Sequence, residues 1–336
     1  MTATALPTPA RQVVPVHRPP AALRATGIIA VLAVAIAIVA VAFALPASRS
    51  KPHNVPIGAA GPQAASSQVA ERLEQQAPGA FAVTYYPGEA ALRDAIHNRT
   101  VYGGVAFGPE GPTLLTATGG SPAVAQLLNQ VGAGIAAHRG LTLHTEDLAP
   151  LPAADPRGAG LAASALPITL AGMLPAIALV FALRREVWTR LGAAVVFAAV
   201  AGTTIAALLY YVFGSIDTNL WGVAAGLTLG VGAAGLLMLG LGSLFGKAGL
   251  AVGALLALLV GNPLSGLTAA PEMLPSGWGQ LGQLLPQGAT ATLLRSTAYF
   301  GGSGATTAVI VLSFWVIVGA TLVVVAALRQ PGRARA

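Results

Sequence analysis

Six stretches of this chain run for about twenty residues or more without a single Asp, Glu, Lys or Arg: 27–45, 161–183, 191–213, 220–245, 248 to about 269, and 306–328. About 20 apolar residues cross the hydrocarbon core of a bilayer, so these runs predict six transmembrane helices. The composition leads to the same class. Charged residues make up 9% of the 336, hydrophobic residues 55%, and the mean hydropathy is +0.72. A soluble domain carries about 25% charged residues to cover its surface, and 18 basic plus 11 acidic side chains fall far short of that. The expected fold class is a membrane protein, mainly α. With no cysteine, the chain has no disulfide framework, no thiolate metal site and no thiol nucleophile.

The first run follows Arg24 and resembles a signal peptide in outline, but it exceeds the 7–15 residues of such an apolar core. It is expected to be a retained helix. The net charge of +7 sorts by topology rather than by a nucleic-acid face. With the N-terminus placed in the cytoplasm and the chain alternating sides, the inner segments hold ten basic residues against the single acid Glu186, or +9. The outer segments hold eight basic residues against ten acids, or −2. Positive charge concentrated in short loops on one side marks the cytoplasmic face, so both termini are expected there, in the plasma membrane.

Residues 47–157 separate the first two runs and hold eight of the eleven acids. Segments 55–59, 81–86, 101–107 and 113–118 are β-prone, and Gly108 to Pro112 reads as a hairpin turn. Ser67 reads as the cap of a helix carrying Val69 and Leu73, and 89–98 as a second helix with Leu92, Ala95 and Ile96 on one face. Ser121-Pro122 opens a third, with Val124, Leu128, Val131 and Ile135 in one stripe and Gly140 closing it. A last strand is expected at 141–144. The order βαβαββαβ predicts an extracytoplasmic α/β domain, able to fold alone, inserted between transmembrane helices 1 and 2. The expected layout is a cytoplasmic tail at 1–23, a helix at 24–46, this domain at 47–157, a five-helix membrane domain at 158–328, and a second tail at 329–336.

Several motifs dissolve in context. Gly230-Val231-Gly232-Ala233-Ala234-Gly235 has the G-x-G-x-x-G spacing, yet lies inside an apolar run rather than between a strand and a helix. Gly222, Gly226 and Gly230 instead form a small-residue ridge suited to close helix packing in lipid. Gly246-Lys247 ends like a phosphate-binding loop, but Leu241 stands where the first glycine belongs and Ala248 where a Ser or Thr belongs. No ATPase, no cofactor and no enzymatic activity are expected of this chain. No run contains an internal carboxylate, which argues against a proton- or sodium-driven pump. His138, His144, Glu146 and Asp147 are loosely spaced and match no metal site, and Asn98-Arg99-Thr100 is a glycosylation sequon by pattern.

Residues 261–304 are neither polar enough for a free loop nor apolar enough to span. Asn262, Pro263, Pro271, Glu272, Pro275 and Pro286 punctuate them. Broken backbone is tolerated at membrane depth only when buried in protein or lining a cavity, so a re-entrant or interfacial hairpin at the outer face is expected, anchored by Trp278 and Tyr299.

The strings Gly261-Asn262-Pro263-Leu264-Ser265-Gly266, Pro271-Glu272-Met273-Leu274-Pro275 and Leu285-Pro286-Gln287-Gly288, with Val101-Tyr102-Gly103-Gly104 and Thr116-Ala117-Thr118 upstream, make the chain similar to type-2 ABC exporter permeases. It most resembles the branch containing the phage-infection-protein (Pip-like) membrane proteins. The resemblance implies a homo- or heterodimer in the lipid bilayer, served by a cytoplasmic ABC ATPase, exporting lipid, drug or other amphipathic molecules. The ATPase would dock on Arg184, Arg185, Glu186, Val187, Trp188 and Arg190. The competing expectation is a non-transporting surface receptor, phage-adsorption factor or secretion scaffold acting through its outer domain.

Overall fold

The computed structural model describes residues 20–109, 111–139 and 142–329. The expected tails before residue 20 and after 329, Glu110 of the hairpin turn, Gly140, Leu141, and the side chains of Ile135 and His138 lie outside the described residues. The chain divides into two compact units, one ending at Val41 and one covering Ala42–Ala336. Helix α1, Ala21–Ser48, supplies the described part of the first unit and is apolar along nearly its whole length.

Within the second unit an α/β region comes first: β1 (Val55–Ala60), α2 (Gln63–Gln76), β2 (Phe81–Tyr86), α3 (Glu89–His97), β3 (Gly103–Gly108), β4 (Gly111–Thr116), α4 (Pro122–Arg139) and β5 (His144–Asp147). This is the expected order. The five-stranded sheet runs β2-β1-β3-β4-β5, parallel except for the β3–β4 hairpin. Alternate side chains go to opposite faces of a strand. Val55, Ile57 and Leu114 therefore pack under α2 and α4 with Val69, Leu73, Val124 and Leu128, while Ala106 and Leu115 pack under α3 with Leu92 and Ile96.

Several boundaries differ from expectation. In the hairpin, β3 starts two residues later than the expected 101 and β4 starts two residues before the expected 113, because Phe107 pairs with Pro112 and Gly108 with Gly111, inside the expected turn. Helix α2 begins at Gln63, after Gly61 takes φ 116° and ends the strand. Ser67 thus sits inside the helix, its hydroxyl donating back to Gln63 O at 2.8 Å. Strand β5 falls three residues later than expected, on the polar string His-Thr-Glu-Asp, because polar anchors fix its register. Asp147 accepts from Thr118 N at 3.1 Å and Thr118 Oγ1 at 2.6 Å, and Glu146 is held by both Nη atoms of Arg93.

The remaining elements are helical: α5 (Ala159–Ala163), α6 (Ala165–Ala182), α7 (Val187–Ala207), α8 (Leu220–Leu255), α9 (Trp278–Gln283), α10 (Pro286–Tyr299) and α11 (Thr306–Arg329), with π-helical turns extending α7 through Val212 and α8 through Gly261. Among the described residues five helical segments are long and apolar enough to cross a membrane, where the sequence leads one to expect six. The difference lies in α8. Its 42-residue segment Leu220–Gly261 breaks at Gly246, with φ 63° and ψ −138°. A straight helix would put residues 238 and 253 about 22 Å apart, yet a Cβ on Gly253 would lie 2.8 Å from Met238 Sδ. The chain therefore folds back on itself at Gly246 into two antiparallel limbs. The second limb stops at Gly261 instead of continuing to about Ala269. At about 22 Å it is shorter than the ~30 Å hydrocarbon core.

The first limb of α8 is the central post, and small residues let its neighbours approach it. Gly226 takes Leu293 of α10 and Gly230 takes Thr290. Gly222 faces the side chain of Asn219 rather than another helix, so only two members of the expected ridge pack helices together. The other close approaches are Gly202 against the backbone of Thr228, Gly172 against Ala234, and Gly240 facing Gly319, where a Cβ would lie 2.7 Å from Gly319 O. One core cluster, with Ile168, Leu209, Val223, Leu227, Leu294 and Ala298, lies at the bundle end nearest the α/β region. A second, with Met173, Val187, Leu239, Leu250 and Val323, lies toward the far end.

Candidate functional site

The α/β region and the segment between α8 and α11 are locked together. Lys51 N and Ser50 Oγ donate to Met273 O at 3.0 and 2.9 Å, and His53 N donates to Glu272 O at 2.9 Å. Ala270, Met273 and Phe300 complete the apolar cores on the two faces of the sheet. Gly119 leaves just enough room for the ring of Tyr299, whose hydroxyl donates to Ser215 O at 2.8 Å.

A cavity of about 620 Å³ lies within this junction. That size falls in the range of small-molecule sites. One wall comes from the α/β region, with Asn54, Ile96, Arg99, Val101 and Tyr102; the other comes from Glu272, Leu274, Gln280, Gln283, Thr292 and Arg295. The local sequence explains how the charged members arrive there. Helix α3 ends without a glycine, so Arg99 itself takes the left-handed conformation, φ 58°. That conformation costs an L-residue about 1–2 kcal/mol. It sends the guanidinium across to α10, where Nη1 donates to Thr292 O at 3.0 Å and to Ser296 Oγ, and Cζ sits 5.2 Å from the centroid of the Phe300 ring. Arg295 is buried on α10 and donates from Nη1 to Gly266 O at 2.6 Å and from Nη2 to Leu267 O at 2.7 Å.

Tyr102 donates its phenol proton to Glu272 Oε2 at 2.8 Å. Burial raises the Tyr102 hydroxyl above its ordinary range, and the Glu272 charge adds to that, so the proton stays on the phenol. Burial lowers the Arg99 guanidinium, and Tyr102 and Glu272 offset this only in part. Among the described residues the ion pairs within 4.0 Å belong to Arg93, with Glu89 and Glu146; neither cavity arginine has one. Among the described lining residues the two arginines face a single carboxylate, that of Glu272.

Two smaller, adjoining voids, separate from the cavity, lie where this segment meets the bundle. Gly279, Gly282 and Gly288 press the backbones of 264–288 together, each in a place where a Cβ would strike a carbonyl oxygen. The turn between α9 and α10 is thereby set beside the end of the second limb of α8, with Gln287 lying on Gly261. Gln283 links the strands of this segment, donating to Ser265 O and accepting from Thr292 Oγ1 at 2.5 Å. Thr169, Asn262, Gln287 and Thr290 line a narrow void there, and next to it a void of about 100 Å³ is walled by Met173, Met238, Leu241, Pro286 and Trp315. Trp315 Nε1 donates to Leu284 O at 2.8 Å and pins the turn.

Of the residues singled out from sequence, Asn262, Pro286, Pro271, Glu272 and Pro275 all lie along these voids or the cavity, and Pro263 lies between Asn262 and Leu264 in the same turn. The expected docking loop is split. Only 183–186 stand between α6 and α7; Arg184, Arg185, Glu186 and Trp188 are exposed, while Val187 and Arg190 are buried. Arg99 and Arg295 carried no sequence signal beyond the sequon around Arg99, because their partners lie far away along the chain. The unglycined helix end at Asn98-Arg99 is the one local hint.

No protein family, curated protein or solved structure matches this chain.

Proposed function

We propose that this chain is the membrane-spanning subunit of a type-2 ABC exporter-like system that moves lipid, drug or other amphipathic molecules with an ATPase supplied in trans. On this reading the chain crosses the plasma membrane six times, the fifth crossing being completed by the non-helical stretch after Gly261. The α/β region is extracytoplasmic, both termini are cytoplasmic, and 261–304 re-enter the membrane from outside. A partner ATPase meets Arg184, Arg185, Glu186 and Trp188, the exposed part of the α6–α7 connection, and a second permease completes a dimer.

The carrying observation is the pair of adjoining voids lined by Thr169 and Gln287. Polar side chains meet apolar walls where two broken helices, the end of α8 and the start of α10, come together. In a membrane, backbone breaks and polar groups of this kind persist where they are buried in protein or line a path. The test is efflux of amphipathic dyes from cells of the native host lacking the chain and complemented with it. Complementation is expected to restore efflux, and a variant carrying Asn262→Leu and Gln287→Leu is expected to lose most of it at normal membrane insertion. Equal efflux with and without the chain overturns the reading in favour of a receptor or scaffold.

A further inference from the structure

Two guanidinium groups share the cavity with one carboxylate, and that carboxylate is engaged by Tyr102. Arg99 Nε and Nη2 and Arg295 Nε have no acceptor among the described residues. A buried ion without a counter-charge costs several kcal/mol, and here each cation is held by carbonyl oxygens, Arg295 by those of 266–267 and Arg99 by that of 292, rather than by acids. Around these donors the walls are mixed: Ile96, Val101, Leu274 and Phe300 are apolar, and Asn54 and Gln280 carry amides.

We propose that this cavity is a binding site for a phosphate ester, the anionic group seated between Arg99 and Arg295 and the organic body against Ile96, Leu274 and Phe300. The planar fork of arginine matches phosphate oxygens two at a time. The left-handed backbone of Arg99 is the strained element that such a site repays, in that it carries the side chain across the junction. Phosphate between Arg99 of the α/β region and Arg295 of α10 would add negative charge where the two cations face only the carboxylate of Glu272. The same chemistry belongs to a lipid headgroup and to a soluble phosphate ester. The inference stands apart from export, because binding is read without turnover.

The experiment uses the full chain purified in an uncharged maltoside detergent. Binding is measured by thermophoresis for dioctanoyl phosphatidic acid, sn-glycerol 3-phosphate, and the uncharged dioctanoylglycerol. Saturable binding of at least one phosphate probe is expected, with dioctanoylglycerol unable to compete. Binding of glycerol phosphate identifies a soluble ester as sufficient; binding of the acylated probe alone identifies a lipid. Arg99→Gln is expected to weaken binding by about tenfold or more. Glu272→Gln, which removes the competing negative charge, is expected to tighten it by about threefold or more. Arg93→Gln, an exposed cation on α3 outside the cavity, is expected to leave it unchanged. Absence of saturable phosphate binding overturns the proposal. So does equal binding of the uncharged lipid, or a Glu272→Gln protein that binds no more tightly than wild type, the latter holding even if Arg99→Gln does not fold.

Discussion

Asp155 shows how a single charged residue ties the α/β region to the bundle. Its Oδ1 accepts from Ala159 N at 2.8 Å, and its Oδ2 accepts from Gly160 N at 2.9 Å and from Ser215 Oγ at 2.7 Å. Burial pushes this carboxyl up, but the Ser215 hydroxyl and the two backbone N–H groups outweigh it, and the result lies below the ordinary range. A carboxyl with a lowered folded pKa contributes stability that is complete above its unfolded pKa, about 4, and is lost as pH falls through the folded value. The unfolding temperature of the detergent-solubilised protein is therefore expected to drop as pH goes from 5 to 3. Asp155→Asn is expected to cost about 2 kcal/mol at pH 7 and to flatten that acid limb; an unchanged limb in the variant would remove Asp155 from this role. Nothing in the sequence marks Asp155 out from the other outer acids, because Ser215 stands 60 positions away. Arg99 and Arg295 were hidden for the same reason. A polar residue's role is set by partners brought from a distance, and periodicity carries no information about those.

Elements were far more legible. Period-two and period-3.6 patterns between Gly/Pro turns yield β1 through α4 in the right order, since one face of each element is buried and the other is not. Strand β5 escaped because His-Thr-Glu-Asp is held by side-chain hydrogen bonds rather than by an apolar face. The α8 hairpin was partly visible as the lone Lys247 between two apolar runs, but the early end of its second limb was not. Gly246 makes the reversal possible, and a Cβ added there meets nothing within 4 Å. Any effect of substitution at Gly246 is therefore conformational and not steric crowding. Gly246→Val is expected to lower stability by about 1–3 kcal/mol, read as a lower unfolding temperature. Gly192→Ala, also in open space but at an ordinary helical φ, is expected to be neutral or stabilising by up to ~1 kcal/mol. Equal behaviour of the two variants would count against a backbone-determined hairpin.

At the scale of the whole molecule, charge and fold run in parallel. The cluster of Met173, Val187, Leu239, Leu250 and Val323 is flanked in sequence by Arg184, Arg185, Lys247 and Arg329, whereas the opposite end carries Asp155, Asp217 and the α/β region. Reporter fusions at Ser50 and Pro331 are expected to report opposite compartments, the second cytoplasmic; a shared compartment would overturn the charge-based orientation. What the sequence did not disclose is that the cores of 47–157 are shared with a later part of the chain. These two cores borrow Ala270, Met273 and Phe300, residues that read locally as part of a Pro/Gly-rich loop. Apolar residues in such a loop have no period, so only the assembled fold shows where they are buried.

That borrowing has a consequence for how the protein is made. Ser50 waits for a partner, Met273, that lies 223 residues further along the chain. At ribosomal speeds of about 5–20 residues per second, the interval is roughly 10–45 s. Over the later part of it, after the last strand ends at Asp147, the sheet has been made while Ala270, Met273 and Phe300 are still unsynthesised, so the nascent chain passes through a vulnerable period in which chaperone protection of this region matters most.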